Sequence, residues 1–307
     1  MVPRTTGPPP SVLFRARPCL SVFPAQGCYR NLVTAPLAGL RFSLAGPGKV
    51  GSSLARWAVA AGAELTAVAG RRPGEAAWPG GPSCEDLGHL ETAGQDLLLV
   101  AVRDSALPEV AGELARRPQA RVALHTSGSL DAAVLDALRP AGSAVGSLHP
   151  LKAFPRPLPD PAEARGVFFA ADGDAAAQGL ALRLAAAWGG VAAEVPAAVR
   201  PLYHFAATLA AGGVVTLLAA AAEIAERLGL PQEVARGYLE LARGAVAAAR
   251  ETLDAGRPLG AAITGPAARG DRATVERHLE ALRQVAPEKL DMAAALALET
   301  VRQTSRN

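Results

Sequence analysis

Aromatic side chains are scarce: phenylalanine, tryptophan and tyrosine together make up 4% of the chain. Readers of single-stranded nucleic acid stack bases on such rings, so no nucleic-acid partner is expected. Cysteine is rarer still. Cys19, Cys28 and Cys84 are widely spaced and form no CxxC, which excludes a disulfide framework or a cysteine zinc site and fits a reducing, cytoplasmic compartment. No HxH, HExxH or carboxylate-rich grouping points to a metal, and no GxSxG to a serine hydrolase. Acids are missing from the start of the chain. The first is Glu64, and residues 1–45 carry five arginines, Arg4, Arg15, Arg17, Arg30 and Arg41. Setting those five aside leaves 26 basic against 28 acidic residues, so the sequence pI near 9.0 belongs to the leading segment and the remainder is nearly neutral.

What is present is apolar. Half of the 307 residues are hydrophobic, mostly Ala, Leu and Val, and only 19% are charged, which suits a folded chain of two domains. Residues 1–38 are rich in Pro and Arg, show no helix or strand period, and lack the apolar run of a secretory signal. Their composition is that of a transit peptide. The reading adopted is translated upstream sequence: 28 arginines against three lysines suggest a GC-rich genome, with Val33 as a GTG-encoded start. The segment is therefore expected to be a disordered or mis-assigned extension.

From Leu40 onward, short apolar runs alternate with helix-length segments. Arg41 to Ala45 reads as a buried strand, followed by Gly46-Pro47-Gly48-Lys49-Val50-Gly51 and a helix over Ser52 to Ala61. This places GxGxxG in the strand-to-helix context that dinucleotide binding needs. Gly46 makes the tight turn, Gly48 lets a pyrophosphate approach, and Gly51 packs helix on strand, while the helix start offers free N–H groups to phosphate. At the end of the next strand, Leu65 to Ala69, an NAD site would place an acid on the ribose. Here the chain reads Gly70-Arg71-Arg72, which suits a 2′-phosphate, so NADP(H) is expected over NAD(H).

Further strands are expected over 96–102, 121–125, 144–148 and 167–171. Near-continuous apolar strands separated by helices indicate a mostly parallel sheet with both faces covered. Such sheets bind ligands beyond the carboxyl ends of their strands. That draws attention to Val102, Arg103, Ser127, His149 and Lys152. After Val195-Pro196 the chain reads as helices to its end, with two polar islands, Arg200-Pro201-Leu202-Tyr203-His204 and Thr264-Gly265-Pro266-Ala267-Ala268-Arg269-Gly270-Asp271. The uncharged run Pro201 to Ala222 could span a bilayer by length. It is expected instead to be a core helix buried on all sides, with no membrane involved. The fold expected is an α/β Rossmann-type, mostly parallel sheet domain (39–196) followed by an all-α carboxyl-terminal domain (197–305).

The ordered blocks AGPGKVG, DLLLVAVRD, HTSGS, GSLHPLKAF, YHFAATLAAGG and ITGPAARGD resemble an uncharacterised bacterial family of Rossmann-like proteins with a helical carboxyl-terminal domain, predicted to be NADP-dependent oxidoreductases. The resemblance runs from about Leu40 to Arg302. Wider relatives would be pyrroline-5-carboxylate reductases, deazaflavin-dependent NADP reductases and the 3-hydroxyacid dehydrogenase and ketopantoate reductase group. The sequence departs from the family at Gly212, often Asn, and at Leu151-Lys152, often Leu-Gln. The resemblance implies hydride transfer between NADP(H) and a small oxo acid, ketopantoate-like, or a cyclic imine held between the domains, in a homodimer formed through the helical domain.

Hydride delivery to a carbonyl creates an oxyanion that needs a positioned donor. His204, His149 and Lys152 are the candidates, with His204 preferred because Tyr203-His204 opens the helix that would line the cleft. Arg269 would anchor a substrate carboxylate with Asp271 orienting it, and Tyr203, Thr264 and Ser127 would complete the polar wall. Other readings remain open at this point. Asp271 could simply cap the next helix. The chain could be a non-catalytic NADP(H)-binding regulatory module, which Gly212 favours, or a dimeric scaffold without nucleotide, for which the three glycines would have no use.

Overall fold

The computed structural model describes residues 36–305. The expectations for residues 1–35, including a start at Val33, lie outside the described residues. Leu37 is wholly buried and its N–H donates to the Ala61 carbonyl at 2.9 Å, so the packed body includes this turn.

Seven strands and three helices come first: β1 (Arg41–Ala45), α1 (Lys49–Ala60), β2 (Glu64–Ala69), β3 (Leu97–Val100), α2 (Leu107–Leu114), β4 (Val122–His125), β5 (Ala144–Pro150), β6 (Phe168–Gly173), α3 (Ala175–Ala187) and β7 (Val191–Glu194). The sheet order is β2-β1-β3-β4-β5-β6-β7. Chain direction out from β1 reverses between β2 and β3, which opens a crevice at the carboxyl ends of β1 and β3. All neighbours run parallel except β5 and β6. A parallel return needs a crossover, usually a helix. The β5–β6 connection instead holds Pro155, Pro157, Pro159 and Pro161, and only one short turn over Pro161–Ala164, so the chain doubles back.

β3 shows why the sheet is stable. Its sequence is LLLV and every residue is buried. Leu97 and Leu99 join Phe42, Trp57 and Phe169 on the face covered by α1 and α3, while Leu98 and Val100 join Leu107, Leu114 and Leu135 on the other. A strand covered on both faces has no reason to alternate.

Three boundaries differ from expectation. α1 starts at Lys49, three residues early, because Gly48 already serves as its N-cap and Gly51 packs from inside the first turn. β5 continues to Pro150 through antiparallel pairing with β6, which puts His149 within the strand. β7 was not expected: it is a mostly exposed edge, VAAE, held by backbone pairing to β6 and without an apolar period.

The rest is helical: α4 (Arg200–Thr208), one π-helical turn (Leu209–Gly213), α5 (Val214–Arg227), α6 (Glu233–Asp254), α7 (Arg272–Val285) and α8 (Leu290–Thr304). The expected buried core helix is contradicted. The continuous helical stretch Ala197–Arg227 has a mean hydropathy of 1.9 in its most apolar window, yet only 6% of that window is buried. Burial depends on what lies alongside, and within one chain α5 has α6 for a neighbour while α7 packs on α8. Leu202 and Leu241 remain 74% and 72% exposed.

Candidate functional site

The loop from β1 to α1 is built around its glycines. Gly46 has φ +96°, and a Cβ there would lie 2.6 Å from the Ala101 carbonyl oxygen, so neither backbone nor space admits a side chain. A Cβ on Gly51 would lie 2.1 Å from the Gly46 carbonyl oxygen and 2.9 Å from Ala101 Cβ, so Gly51 sets how closely α1 approaches β3's end. Gly48 differs. A Cβ there would meet nothing within 4 Å, so the absence of a side chain leaves room for something outside the protein. No side chain caps α1 and no acid lies in its first turn, which leaves its first N–H groups and positive dipole end for an anion.

A cavity of about 750 Å³ runs from this loop along the ends of β1, β2 and β3. Of the residues expected to bind a nucleotide, Gly46, Pro47, Gly48, Arg71, Arg72, Val102 and Arg103 line it, whereas Lys49, Val50, Gly51 and Ser127 do not. Arg72 pairs with Glu75 at 3.2 Å on the exposed rim, while Arg71 has no ion-pair partner among the described residues. The irregular segment after β2 adds Cys84, Asp86 and His89, which no periodic pattern marked. A glycine cradle with open space, uncapped N–H groups and an arginine pair fit a dinucleotide carrying an extra phosphate. A second concavity, of about 350 Å³, sits at the opposite end of the sheet around Leu40, Asp96 and Arg121, away from every strand end that carries candidate chemistry.

At the carboxyl ends of β4 and β5 lies a compact histidine cluster. His125 is wholly buried and fully committed: its Nδ1 accepts from the Ser127 N–H at 3.2 Å, so its Nε2 donates to the Asp131 carbonyl at 2.9 Å. Burial pushes its pKa down to about 4, and it shapes the loop as a neutral ring. The Ser127 hydroxyl accepts from the N–H groups of Ser129 and Leu130 at 3.2 and 3.1 Å. Ser129 Oγ in turn donates to Asp104 at 2.6 Å, which ties the loops after β3 and β4 together next to the cavity-lining Arg103.

His149 hydrogen-bonds through Nδ1 to the Tyr203 hydroxyl at 3.0 Å. It also meets the rings of Tyr203 and His204 edge-on, with centroids 5.7 Å away in each case. Burial first, then the neighbouring His204 and Arg200, lowers the His149 pKa to about 4. Tyr203 is pushed upward by burial. Gly128 closes the cluster. A Cβ there would be 2.6 Å from His204 Cδ2 and 2.7 Å from His149 Nε2, a requirement that HTSG in the sequence did not disclose. Among the described residues no hydrogen bond engages either ring nitrogen of His204.

Other candidates lie apart. Lys152 Nζ pairs with Glu163 Oε2 at 3.0 Å, and no hydrogen bond joins it to the histidines among the described residues. Asp271 N-caps α7, accepting from the Thr274 N–H at 3.1 Å, and hydrogen bonding from the Thr274 side chain first, then from its N–H, lowers its pKa. It makes no ion pair with Arg269, and no described contact links Thr264, Arg269 or Asp271 to the cluster. Arg200 and Asp172, both buried beneath the cluster, were not expected in the site at all.

Residues 167–300 match the family described as a domain of unknown function (DUF2520), and residues 41–149 match the CoA binding domain family. No curated protein matches the chain. Among solved structures, a Bacteroides fragilis protein assigned as an NADP oxidoreductase superposes with a TM-score of 0.69 at 20% identity, covering 87% of this chain and 99% of its own. A Thermotoga maritima protein gives 0.65 at 19% identity, with 86% and 98% covered. Pyrroline carboxylate reductase from Plasmodium falciparum, solved with NADP bound, gives 0.56 at 13% identity, with 87% and 98% covered. The chain thus has the fold of these structures, a mostly parallel, Rossmann-type sheet followed by helices, with the DUF2520 match starting beside β6.

Proposed function

We propose that the protein is an NADP(H)-dependent oxidoreductase acting on a small oxo acid, ketopantoate-like, or on a cyclic imine, with residues 39–196 binding the nucleotide and residues 197–305 contributing the substrate side and the dimer contact. The observation that carries this reading is the junction of two features: the open glycine cradle with Arg71 and Arg72 on one cavity, and a histidine with both ring nitrogens uncommitted at the neighbouring strand ends.

The bound nucleotide would supply or accept hydride. Pro47, Lys49 and Val50 complete the loop whose backbone holds the pyrophosphate, and Arg71 with Arg72 holds the 2′-phosphate, which gives the preference over NAD(H). Val102, Arg103 and Ser127 shape the passage toward the cluster. His204 is the proton donor, because of the three clustered histidines it alone spends neither nitrogen on a protein partner. His149, kept neutral and oriented by Tyr203, holds the His204 ring in place and can donate from Nε2 to a developing oxyanion. Arg269 takes a substrate carboxylate beside Thr264, and Asp271 fixes that turn by capping α7. Lys152 stands in reserve on its Glu163 pair.

The uncovered apolar helices are assigned to a second copy of the chain rather than to a bilayer, since the first turn of the long helix is anchored by a buried arginine beneath the strand ends. A free buried thiol at Cys84 agrees with a cytoplasmic setting. A second reading, a non-catalytic NADP(H)-binding regulatory module, rests on Gly212.

The test is calorimetric titration with NADPH, NADH and coenzyme A, followed by NADPH oxidation with a panel of 2-oxo acids and cyclic imines. NADPH should bind at least about tenfold tighter than NADH, a difference of about 1.4 kcal/mol. Binding of neither nicotinamide nucleotide overturns the reading, and binding without turnover across the panel selects the regulatory module. His204→Ala should lower kcat by about 10²- to 10⁴-fold and leave NADPH affinity in place; an unchanged rate removes His204 from the mechanism.

A further inference from the structure

Arginine is almost never fully buried without a partner, yet the Arg200 side chain has no exposed surface. Its Nη2 donates to the Ser127 carbonyl at 3.1 Å, and its Nη1 lies 3.3 Å from Asp172 Oδ2. The other carboxylate oxygen of Asp172 accepts from Ser147 Oγ at 2.5 Å. Among the described residues Nε and Nη1 make no hydrogen bond, so the group is held by charge and by one carbonyl.

The elements touched are those that deliver the cluster. Ser127 precedes Gly128, which is wedged between His149 and His204. Ser147 and His149 are two residues apart on β5 and share a face. Tyr203 lies one helical turn beyond Arg200 on α4, followed by His204.

We propose that Arg200 is the positioning residue of this site: its guanidinium locks the first turn of α4, and with it Tyr203 and His204, onto the strand ends that carry Gly128 and His149. This deepens the oxidoreductase reading and takes from it the identity of the site. The charge acts as well as the shape. The groups facing His149 are Tyr203, His204 and Arg200 from α4, with His125 and Asp104 from the sheet side; burial is the first cause of its neutral ring, and the Arg200 charge adds to it.

A purely structural ion pair makes a different prediction. Buried pairs are often replaceable by apolar residues of similar volume without loss of stability, whereas removing one partner strands the other's charge. The double variant Arg200→Met/Asp172→Leu removes both charges in the full-length chain. Arg200→Lys keeps the charge and loses the guanidinium's fork. Histidine-selective nitrogen NMR titration reads the tautomer and protonation midpoint of His149, and calorimetry reads NADPH binding.

If Arg200 positions the cluster, the double variant stays folded, its His149 midpoint rises from about 4 toward the ordinary value of about 6.5, and its Tyr203-bonded tautomer is lost. NADPH affinity stays within about twofold, while kcat on an accepted substrate falls by about tenfold or more. A folded double variant with a native His149 midpoint and tautomer overturns the role. Should the double variant not fold, Arg200→Lys decides by the same spectrum: a changed tautomer supports positioning and a native one overturns it. The spectrum needs no turnover, so an enzyme assay that fails in the wild type counts against the oxidoreductase reading alone.

Discussion

The two halves of the chain solve the problem of burial differently. In the sheet half, apolar residues from both faces of β3 disappear into two clusters that include Trp57, Phe42, Phe169 and Leu107, each fully buried. In the helical half, the fully enclosed positions are few, such as Ala225, Thr252 and Ala286, and Leu202, Phe205, Leu241 and Leu298 lie open. The sheet half contains its own core, and the helical half leaves apolar side chains open that the proposed second copy of the chain would cover. Hydrophobic composition alone does not distinguish these cases, because burial is a property of the packing partner.

The largest effect expected from this contrast is at Trp57. Trp57→Ala should cost about 3 to 5 kcal/mol in urea unfolding, independent of protein concentration, because the indole is buried within one chain. Acid comes next. His125 has a folded pKa of about 4 against about 6.5 unfolded, so the unfolded chain binds more protons between those values. The stability from keeping it neutral is fully present above pH 6.5 and is lost as pH falls toward 4, amounting to about 3 kcal/mol; equilibrium unfolding at stepped pH checks it, and a flat profile would contradict the neutral buried ring.

In the helical half the effects should be smaller within a chain and visible in association. Leu241→Glu should change the unfolding free energy of a single chain by less than about 0.5 kcal/mol. It should nonetheless shift the protein toward a smaller species in analytical ultracentrifugation and weaken the dependence of Tm on concentration that an associating chain shows. A mass unchanged by this variant and by Leu202→Glu would break the contrast. The smallest effect is at Gly212→Asn. A Cβ there meets only Thr208 Cγ2, at 3.9 Å, so Asn fits without strain and should stabilise the helix by a few tenths of a kcal/mol.

Much of the sheet was legible because its signals are local. GxGxxG demanded positions that only glycine can occupy, and the structure shows that demand at Gly46 and Gly51. LLLV announced a strand covered on both faces. β7 carried no such signal, because an exposed edge is held by backbone hydrogen bonds that any residue can make. His149 was read as following its strand, since nothing local in GSLHP reveals the antiparallel partner that extends it. Arg200 was visible within a polar island but not as part of the site. An arginine is ordinarily solvated, and only the tertiary fold brings Asp172 and the Ser127 carbonyl to it. Gly128 was hidden for the same reason.

The π-helical turn at Leu209–Gly213 has a bearing on how this chain can change over time. One additional residue in a turn rotates everything after it by about 100° about the helix axis. The face that α4 turns to the strand ends and the face that α5 turns outward are thereby set out of phase with each other. Mutations suiting the outer contact can then accumulate on α5 without disturbing the stripe that carries Arg200, Tyr203 and His204. Rewinding the turn as regular α-helix with all of its residues kept would bring the two stripes back into phase and make one surface answer to two neighbours at once.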